Sequence, residues 1–332
     1  MRVFIALLLS LCALAAQAQN WEDRRLFNEG SSGTTMTILS STDTALFAPV
    51  IESFVAENPS LSIEYLVAST AQIDDRFRAA PERFDLVISS AMDLQLKLAN
   101  DGLAHEVRGI PLPDWAQWRA RLFAFTAEPA AIVINRAAFE GLRIPESRQD
   151  LIEALRSEPE RFQGKVGTYD IRQSGLGYLF ATQDARTSET YWRLMEVMGG
   201  LAAALNCCSG AMIDDLTDGT IAVAYNVLGS YASARIEGRD ALKIILPSDF
   251  PTTMMRTALV SDEGEEPDIA ELFLRHLIAG RASDMLPLPA LDPQDTGAER
   301  SMIALEPALL TFLDALKRNK FVSEWEDAVI QD

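Results

Sequence analysis

The chain has 332 residues and a formal net charge of −19, from 48 acidic and 29 basic side chains. Such acidity excludes nucleic acid and anionic membrane surfaces as expected partners. An anionic ligand in a buried cleft is not excluded, because distant surface charge is screened beyond about 10 Å. With 48% hydrophobic residues, the chain has enough apolar material for the cores of two domains.

The first 18 residues predict a secretory signal peptide. Arg2 precedes an apolar run that ends at Ala16, and Ala16-Gln17-Ala18 forms a small-x-small motif for cleavage after Ala18. The run is shorter than the roughly 20 residues of a membrane-spanning helix, although a retained anchor is the alternative. We therefore expect export to the periplasm. Residues 19–33 are polar and contain Gly and Ser, which predicts a flexible or loosely docked N-terminal extension.

Strand and helix patterns alternate after this extension. Strands predicted over 35–40, 61–67 and 84–89 are each followed by an amphipathic helix, which favours a parallel sheet covered on both faces. A second α/β series follows, and the extended runs 123–135 and 252–260 suit crossovers between two lobes. The last amphipathic helix is predicted over Pro307–Lys320.

Hydroxyl side chains follow each of the three early strands. They are Ser41, Thr42, Ser69, Thr70, Ser89 and Ser90. Ligands of such sheets bind beyond the carboxyl ends of the strands. Each of these side chains is equally suited to capping a helix, but the three sets together favour a ligand crevice.

A second polar set lies in GTYDIRQSGLGYLFATQD (167–184) and AVAYNVLGSYA (222–232). It comprises Arg172, Ser174, Gly175, Tyr225, Asn226 and Tyr231. A helix is expected to begin at Ser174-Gly175, where its free N–H groups favour an anion. Arg172 suits bidentate binding of a carboxylate or phosphate, with a surface pair to Asp170 as the alternative. Core packing is the alternative for each tyrosine.

The residues for catalysis or metal binding do not form a recognisable pattern. No nucleophile–base motif or glycine-rich phosphate loop occurs, and His105 and His276 are the two histidines. We expect no enzymatic activity, no cofactor and no metal site. Cys207 and Cys208 are adjacent, and two states stay open for them: reduced thiols, or a disulfide closed through a strained ring.

Five segments together resemble the type II periplasmic solute-binding proteins of ABC importers, in the branch of ferric-iron binders and the phosphoglycerate-transport regulatory protein. They are FDLVISSAMDLQLKLANDGLA (84–104), FTAEPAAIVINR (125–136), SGLGYLFATQDA (174–185), AVAYNVLGSYA (222–232) and FLRHLIAGRASDML (273–286). The resemblance implies an α/β, two-lobed periplasmic binding protein fold whose two crossover strands form a hinge. It assigns residues 34–128 and 253–332 to lobe 1, and 129–252 to lobe 2.

The chain departs from the ferric-binding pattern, which has two adjacent tyrosines in the second lobe. Tyr225 and Tyr231 are not adjacent, and hydroxyls and amides are poor ligands for Fe(III). The resemblance therefore favours a monomeric binding protein that delivers a small carboxylated or phosphorylated anion to an ABC permease in the inner membrane. The alternatives are ligand-dependent signalling to a membrane sensor histidine kinase and ferric iron binding.

Overall fold

The computed structural model describes residues 21–30, 33–236, 238, 240–279 and 302–331. The predicted signal peptide with its cleavage site, and part of the segment 273–286, lie outside the described residues.

The first sheet has seven strands in the order β1-β3-β2-β4-β13-β6-β5. These strands are β1 (Asp23–Phe27), β2 (Thr35–Ser40), β3 (Ser62–Val67), β4 (Leu86–Ser89), β5 (Gln117–Trp118), β6 (Leu122–Ala124) and β13 (Thr257–Val260). Strands β3, β2 and β4 are parallel, as the sequence predicted. The helices of this lobe are α1 (Thr44–Glu57), α2 (Thr70–Ala79), α3 (Met92–Asn100) and α10 (Pro267–Ile278).

The second sheet has the order β11-β7-β10-β8-β9, and β12 pairs with β7. Its strands are β7 (Glu128–Asn135), β8 (Val166–Tyr169), β9 (Ala204–Asn206), β10 (Val223–Leu228), β11 (Leu242–Ile245) and β12 (Thr253–Met254). The helices that accompany this sheet are α4 (Arg148–Ser157), α5 (Pro159–Phe162), α6 (Gly175–Thr187), α7 (Thr190–Gly200), α8 (Ser209–Thr217), α9 (Gly229–Ile236) and α11 (Ala315–Val329).

Two crossover segments connect the two sheets, and the segments lie next to each other. One leads from β6 to β7, and the other leads from β12 back to β13. They are held together because Thr253 and Met254 pair antiparallel with Pro129 and Glu128, and because the amide of Phe125 donates to the carbonyl of Arg256. This is the two-stranded hinge that the extended runs predicted.

The prediction of a flexible extension over residues 19–33 is wrong for Asp23–Phe27. These residues form β1, which pairs antiparallel with β3 over its whole length. The edge of the sheet offers unpaired backbone groups, and a neighbouring segment can satisfy them whatever its side chains are. Phe27 then fixes this strand by burying its ring in the core.

The C-terminal segment also differs from its prediction. A 3₁₀ helix occupies Pro307–Leu313, and α11 begins only after Asp314, whose carboxylate accepts from the amides of Leu316 and Lys317. Helix α11 packs against α7 of the second lobe, and Trp325 is fully buried there. Assigning all of 253–332 to lobe 1 is therefore wrong for α11. The remaining lobe boundaries stay a prediction.

We predict that Trp325→Ala destabilises the protein by about 3–5 kcal/mol, because it removes a large buried ring and leaves a cavity. The free energy of unfolding is measured by denaturant titration. The control is Leu316→Ala on the same helix, where the side chain is 80% exposed. Equal, small losses in both variants would show that α11 does not contribute to the core of the second lobe.

Candidate ligand site

A cavity of about 350 Å³ lies between the two lobes, next to the crossovers. Its size is within the usual range for small-molecule sites, roughly 300–1,000 Å³. The first lobe contributes Glu22, Ser41, Asp43, Ala68, Ser69, Thr70 and Ser90. The second contributes Tyr169, Ser174, Leu176, Cys207, Cys208, Ser209, Gly210, Ala211, Asp214, Leu228, Tyr231 and Arg235, and Arg256 comes from a crossover.

Six of the predicted ligand residues lie in this wall: Ser41, Ser69, Thr70, Ser90, Ser174 and Tyr231. Ser41, Ser69 and Ser90 each follow the end of a strand by one or two residues. Because these strands are parallel, the three residues lie at one edge of the first sheet. Ser174 reaches the opposite wall because it caps the start of α6. These six residues therefore lie on both walls of the cavity.

Helices α1, α2, α6 and α8 all begin at the cavity. The first amides of a helix have no partner within it, so each start presents N–H donors and partial positive charge. Ser69 and Ser174 accept from the amides of Gln72 and Gly177, while α8 has no side-chain cap. The four helix starts favour an electron-rich ligand group in the space between them.

The serine hydroxyls are oriented by backbone donors. The hydroxyl of Ser41 accepts from the amide of Ser90 at 3.2 Å, and the hydroxyl of Ser174 accepts from Gly177 at 3.1 Å. A hydroxyl that accepts such a bond keeps its own proton for donation. Burial raises the pKa of Tyr231 to about 12, so this phenol also retains its proton at neutral pH. The wall is consequently rich in neutral donors.

Arg256, which the sequence analysis missed, forms the floor of the cavity. Its guanidinium pairs with Glu128 through Nε–Oε1 and Nη2–Oε2 distances of 3.0 and 3.1 Å. Its Nη1 donates to the hydroxyl of Thr42 at 2.6 Å, and Ser230 also bonds Glu128. Burial opposes the charge on Arg256, but the Glu128 carboxylate more than offsets this, so the pKa of Arg256 rises. The sequence does contain a sign of this residue: Arg256 is the one charged side chain in the segment TTMMRTALV (252–260), and a charge in such a segment indicates a buried partner.

Arg235 is a second cation that the sequence analysis missed. It lies at the cavity edge and connects Asp214 of its own lobe, at 2.7 Å, with Asp43 of the first lobe, at 3.3 Å. The two lobes also meet where the amide of Leu176 donates to the hydroxyl of Thr70, at 3.2 Å. These contacts hold the lobes closed over the cavity.

Arg172 does not line the cavity, so its predicted role as a ligand cation is not supported by its position. Its guanidinium forms a bidentate pair with Asp170, with distances of 2.8 and 2.7 Å, and reaches Glu326 of α11 at 3.2 Å. The side chain is 37% exposed. The surface pair with Asp170, which was the alternative, is what the structure shows.

Tyr225 and Asn226 are also turned away from the cavity. Both donate to one carboxylate oxygen of the buried Asp184, at 2.7 and 2.8 Å. Asn226 lies at a β-bulge inside β10, with φ of 61°, a conformation that asparagine tolerates better than most residues. Strand β10 continues past both residues to Leu228.

The Asp184 network contains a further buried cation, Arg148. Its Nη2 lies 3.4 Å from Asp184, its Nε donates to the hydroxyl of Tyr225 at 2.7 Å, and Asp249 lies 3.4 Å from its Nη1. Thr252 at the start of the second crossover donates to Asp184 at 2.9 Å. The polar groups of Tyr225 and Asn226 are therefore explained by this network.

The other three predicted residues, Thr42, Ser89 and Gly175, do not line the cavity but contact residues next to its wall. Thr42 and Ser89 are buried: Thr42 accepts from Arg256, and the hydroxyl of Ser89 accepts from the amide of Ala91. At Gly175 a Cβ would lie only 3.1 Å from the Ala91 Cβ and 3.3 Å from the carbonyl carbon of Thr70. This glycine therefore permits close contact between the lobes.

The described residues contain no group of three or more His, Cys, Asp or Glu side chains that could hold a metal ion. In the same part of the chain, no helix is long and apolar enough to cross a membrane.

No protein-family model matches the sequence, and the comparison with curated proteins gives no match. Among solved structures, the chain is similar to the substrate-binding protein of an ABC transporter from Agrobacterium tumefaciens. The identity is 28% and the TM-score 0.86, covering 92% of this chain and 98% of that chain.

Two structures with lower identity share the fold. The periplasmic binding protein AfuA from Actinobacillus pleuropneumoniae, with exogenous fructose-6-phosphate bound, has 14% identity and a TM-score of 0.71, covering 91% of this chain and 100% of that chain. Iron-bound HitA from Pseudomonas aeruginosa has 14% identity and a TM-score of 0.68, covering 89% and 99%.

The chain thus has the two-lobed α/β fold of the type II periplasmic solute-binding proteins, and the resemblance noted in the sequence is confirmed. Its structural neighbours are substrate-binding proteins, which carry a solute and do not transform it.

We predict that Asp184→Asn lowers the free energy of unfolding by about 3–5 kcal/mol, because it leaves the buried Arg148 with a weakened set of partners. Denaturant titration measures the loss. Glu153→Gln is the control, since it removes an exposed carboxylate from the same helix as Arg148, and surface changes usually cost under about 0.5 kcal/mol. A loss as small as the control's would show that the network is dispensable for folding.

Proposed function

We propose that this protein is an extracytoplasmic solute-binding protein that captures a small carboxylated or phosphorylated anion and delivers it to an ABC permease. The observation that carries the proposal is the meeting of four helix starts and several oriented hydroxyls around one cavity. Donors of this kind match the oxygen atoms of a carboxylate or phosphate. The predicted signal peptide supports export to the periplasm.

The two arginines of the cavity are each paired with carboxylates, which leaves neutral groups as the free donors of the wall. Arg235 is paired with Asp43 and Asp214, and Arg256 is paired with Glu128. Arg256 and Glu128 balance each other, whereas Arg235 faces two carboxylates and Glu22 adds another carboxylate to the wall. Recognition of the ligand rests on N–H and O–H groups, which act at short range and are indifferent to the negative charge of the remaining surface.

Ferric iron suits this cavity less well. Fe(III) prefers hard anionic oxygen ligands, and the phenols that reach the cavity belong to Tyr169 and Tyr231. Burial raises the pKa of both phenols, and the hydroxyl of Tyr169 is engaged with Ser209 at 2.6 Å. A fructose-6-phosphate-bound protein and an iron-bound protein share this fold. The fold alone therefore does not select the ligand, and the side chains of the cavity must do so. Signalling to a histidine kinase stays a prediction.

We predict that a thermal-shift screen of sugar phosphates, phosphoglycerates, di- and tricarboxylates and Fe(III) gives its positive result with one of the anions. A ligand at a hundred times its Kd stabilises the folded protein by about 2.7 kcal/mol. Stabilisation by Fe(III) alone would overturn the proposed ligand class. Titration calorimetry with the selected anion then tests the residues.

In that titration, Ser41→Ala is expected to weaken binding by about 1.5–3 kcal/mol, the scale of a hydrogen bond to a charged group. Arg172→Ala is the control, because its guanidinium is held outside the cavity by Asp170 and Glu326. An unchanged Kd for Ser41→Ala, or a weakened one for Arg172→Ala, would contradict the placement of the site.

We also predict that Gly175→Val hinders closure of the lobes, because the added side chain would crowd Ala91 and Thr70 across the cleft. The expected result is a larger radius of gyration by small-angle scattering and a weaker affinity for the selected anion. Gly200→Ala is the control, since its Cβ would come no closer than 3.7 Å to the carboxamide oxygen of Gln331. A profile identical to that of the wild type would exclude closure at Gly175.

A further inference from the structure

Cys207 and Cys208 occupy the cavity wall between β9 and α8. Both are free thiols in exposed residues, and their sulfur atoms are 2.9 Å apart. The sulfurs of a disulfide are about 2.05 Å apart, so closing the bond requires the two sulfurs to approach further and the backbone to accommodate a strained ring. The pair is the one cysteine pair in the described part of the chain.

The two thiols have unequal surroundings. The Cys208 sulfur is partly shielded from water, which raises the pKa of this thiol to about 12. Cys208 directly precedes α8, which has no side-chain cap, so its sulfur lies at the start of this helix. An attack on an external disulfide consequently begins at Cys207, because the thiolate is the nucleophile.

We propose that Cys207 and Cys208 form a reversible redox site that closes to a disulfide within the wall of the ligand cavity. The oxidant is a low-molecular-weight disulfide. Cys207 attacks one of its sulfurs and releases one thiol, and Cys208 then attacks the Cys207 sulfur and releases the second. The protein loses two electrons and two protons, and the small disulfide becomes two thiols.

The site is suited to reversibility. A ring closed between adjacent residues is strained, and strained or exposed disulfides are readily reduced again. Ring closure moves the Cys208 sulfur at the start of α8, one of the helix starts that face the cavity. In this respect the inference rests on the proposed function: ligand binding and oxidation are expected to affect each other by the same factor.

The test uses the mature protein and no ligand, so its outcome does not depend on the proposed function. The protein is equilibrated with oxidised glutathione, treated with N-ethylmaleimide without reductant, and weighed by intact-mass spectrometry. We expect a monomer lighter by two hydrogens with no maleimide adduct, and two adducts after treatment with dithiothreitol. A persistent glutathione adduct, a covalent dimer, or two maleimide adducts before reduction would overturn the proposal.

The single variants supply the matched controls. Cys208→Ser removes the resolving thiol, so Cys207 is expected to stop as a stable mixed disulfide with one glutathione. In Cys207→Ser the shielded Cys208 is expected to acquire glutathione more slowly. Equal rates in the two variants would overturn the assignment of Cys207 as the attacking residue. Circular dichroism confirms that both variants are folded before the comparison is made.

Discussion

The buried pair of Arg256 and Glu128 is the interaction on which the arrangement of the two lobes depends. Each residue comes from a different crossover, and both side chains are almost completely withdrawn from water. A buried charge without its partner costs several kcal/mol, so the two crossovers must stay together. Arg256 also bonds Thr42 of the first lobe, and Glu128 accepts from Ser230 of the second. The pair therefore fixes the floor of the cavity relative to both walls.

The second lobe contains another buried polar centre, around Asp184, and it changes the meaning of the polar residues in β10. Tyr225 and Asn226 satisfy Asp184, and Thr252 connects the same carboxylate to the beginning of the second crossover. Buried polar groups need partners, whether protein or ligand. Here the protein supplies them, so the residues stabilise the lobe that carries the site and leave ligand recognition to the cavity wall.

The cavity combines paired charges with unpaired donor capacity. Arg235 and Arg256 are each paired with carboxylates, whereas the hydroxyls of Ser41 and Ser174, which accept from backbone amides, still have protons to donate. Such a wall discriminates ligands by the geometry of hydrogen bonding more than by net charge. Arg235 also joins the two lobes through its ion pair with Asp43. A residue of the cavity wall therefore takes part in the contact that holds the cleft closed.

The sequence by itself determined the α/β pattern, the two crossovers and the hydroxyls at the strand ends, because periodicity and residue type are local properties. It did not determine that residues 23–27 add a strand or that α11 packs on the second lobe, since edge pairing and helix docking depend on distant partners. Tertiary structure also decided which polar side chains face the cavity. Ser41 and Ser174 face it, whereas Arg172 and Tyr225 bind carboxylates outside the cavity. Arg256 is recognised as a residue of the site only once its pairing with Glu128 is known. A side chain's partner across the fold is not encoded in its neighbours along the chain.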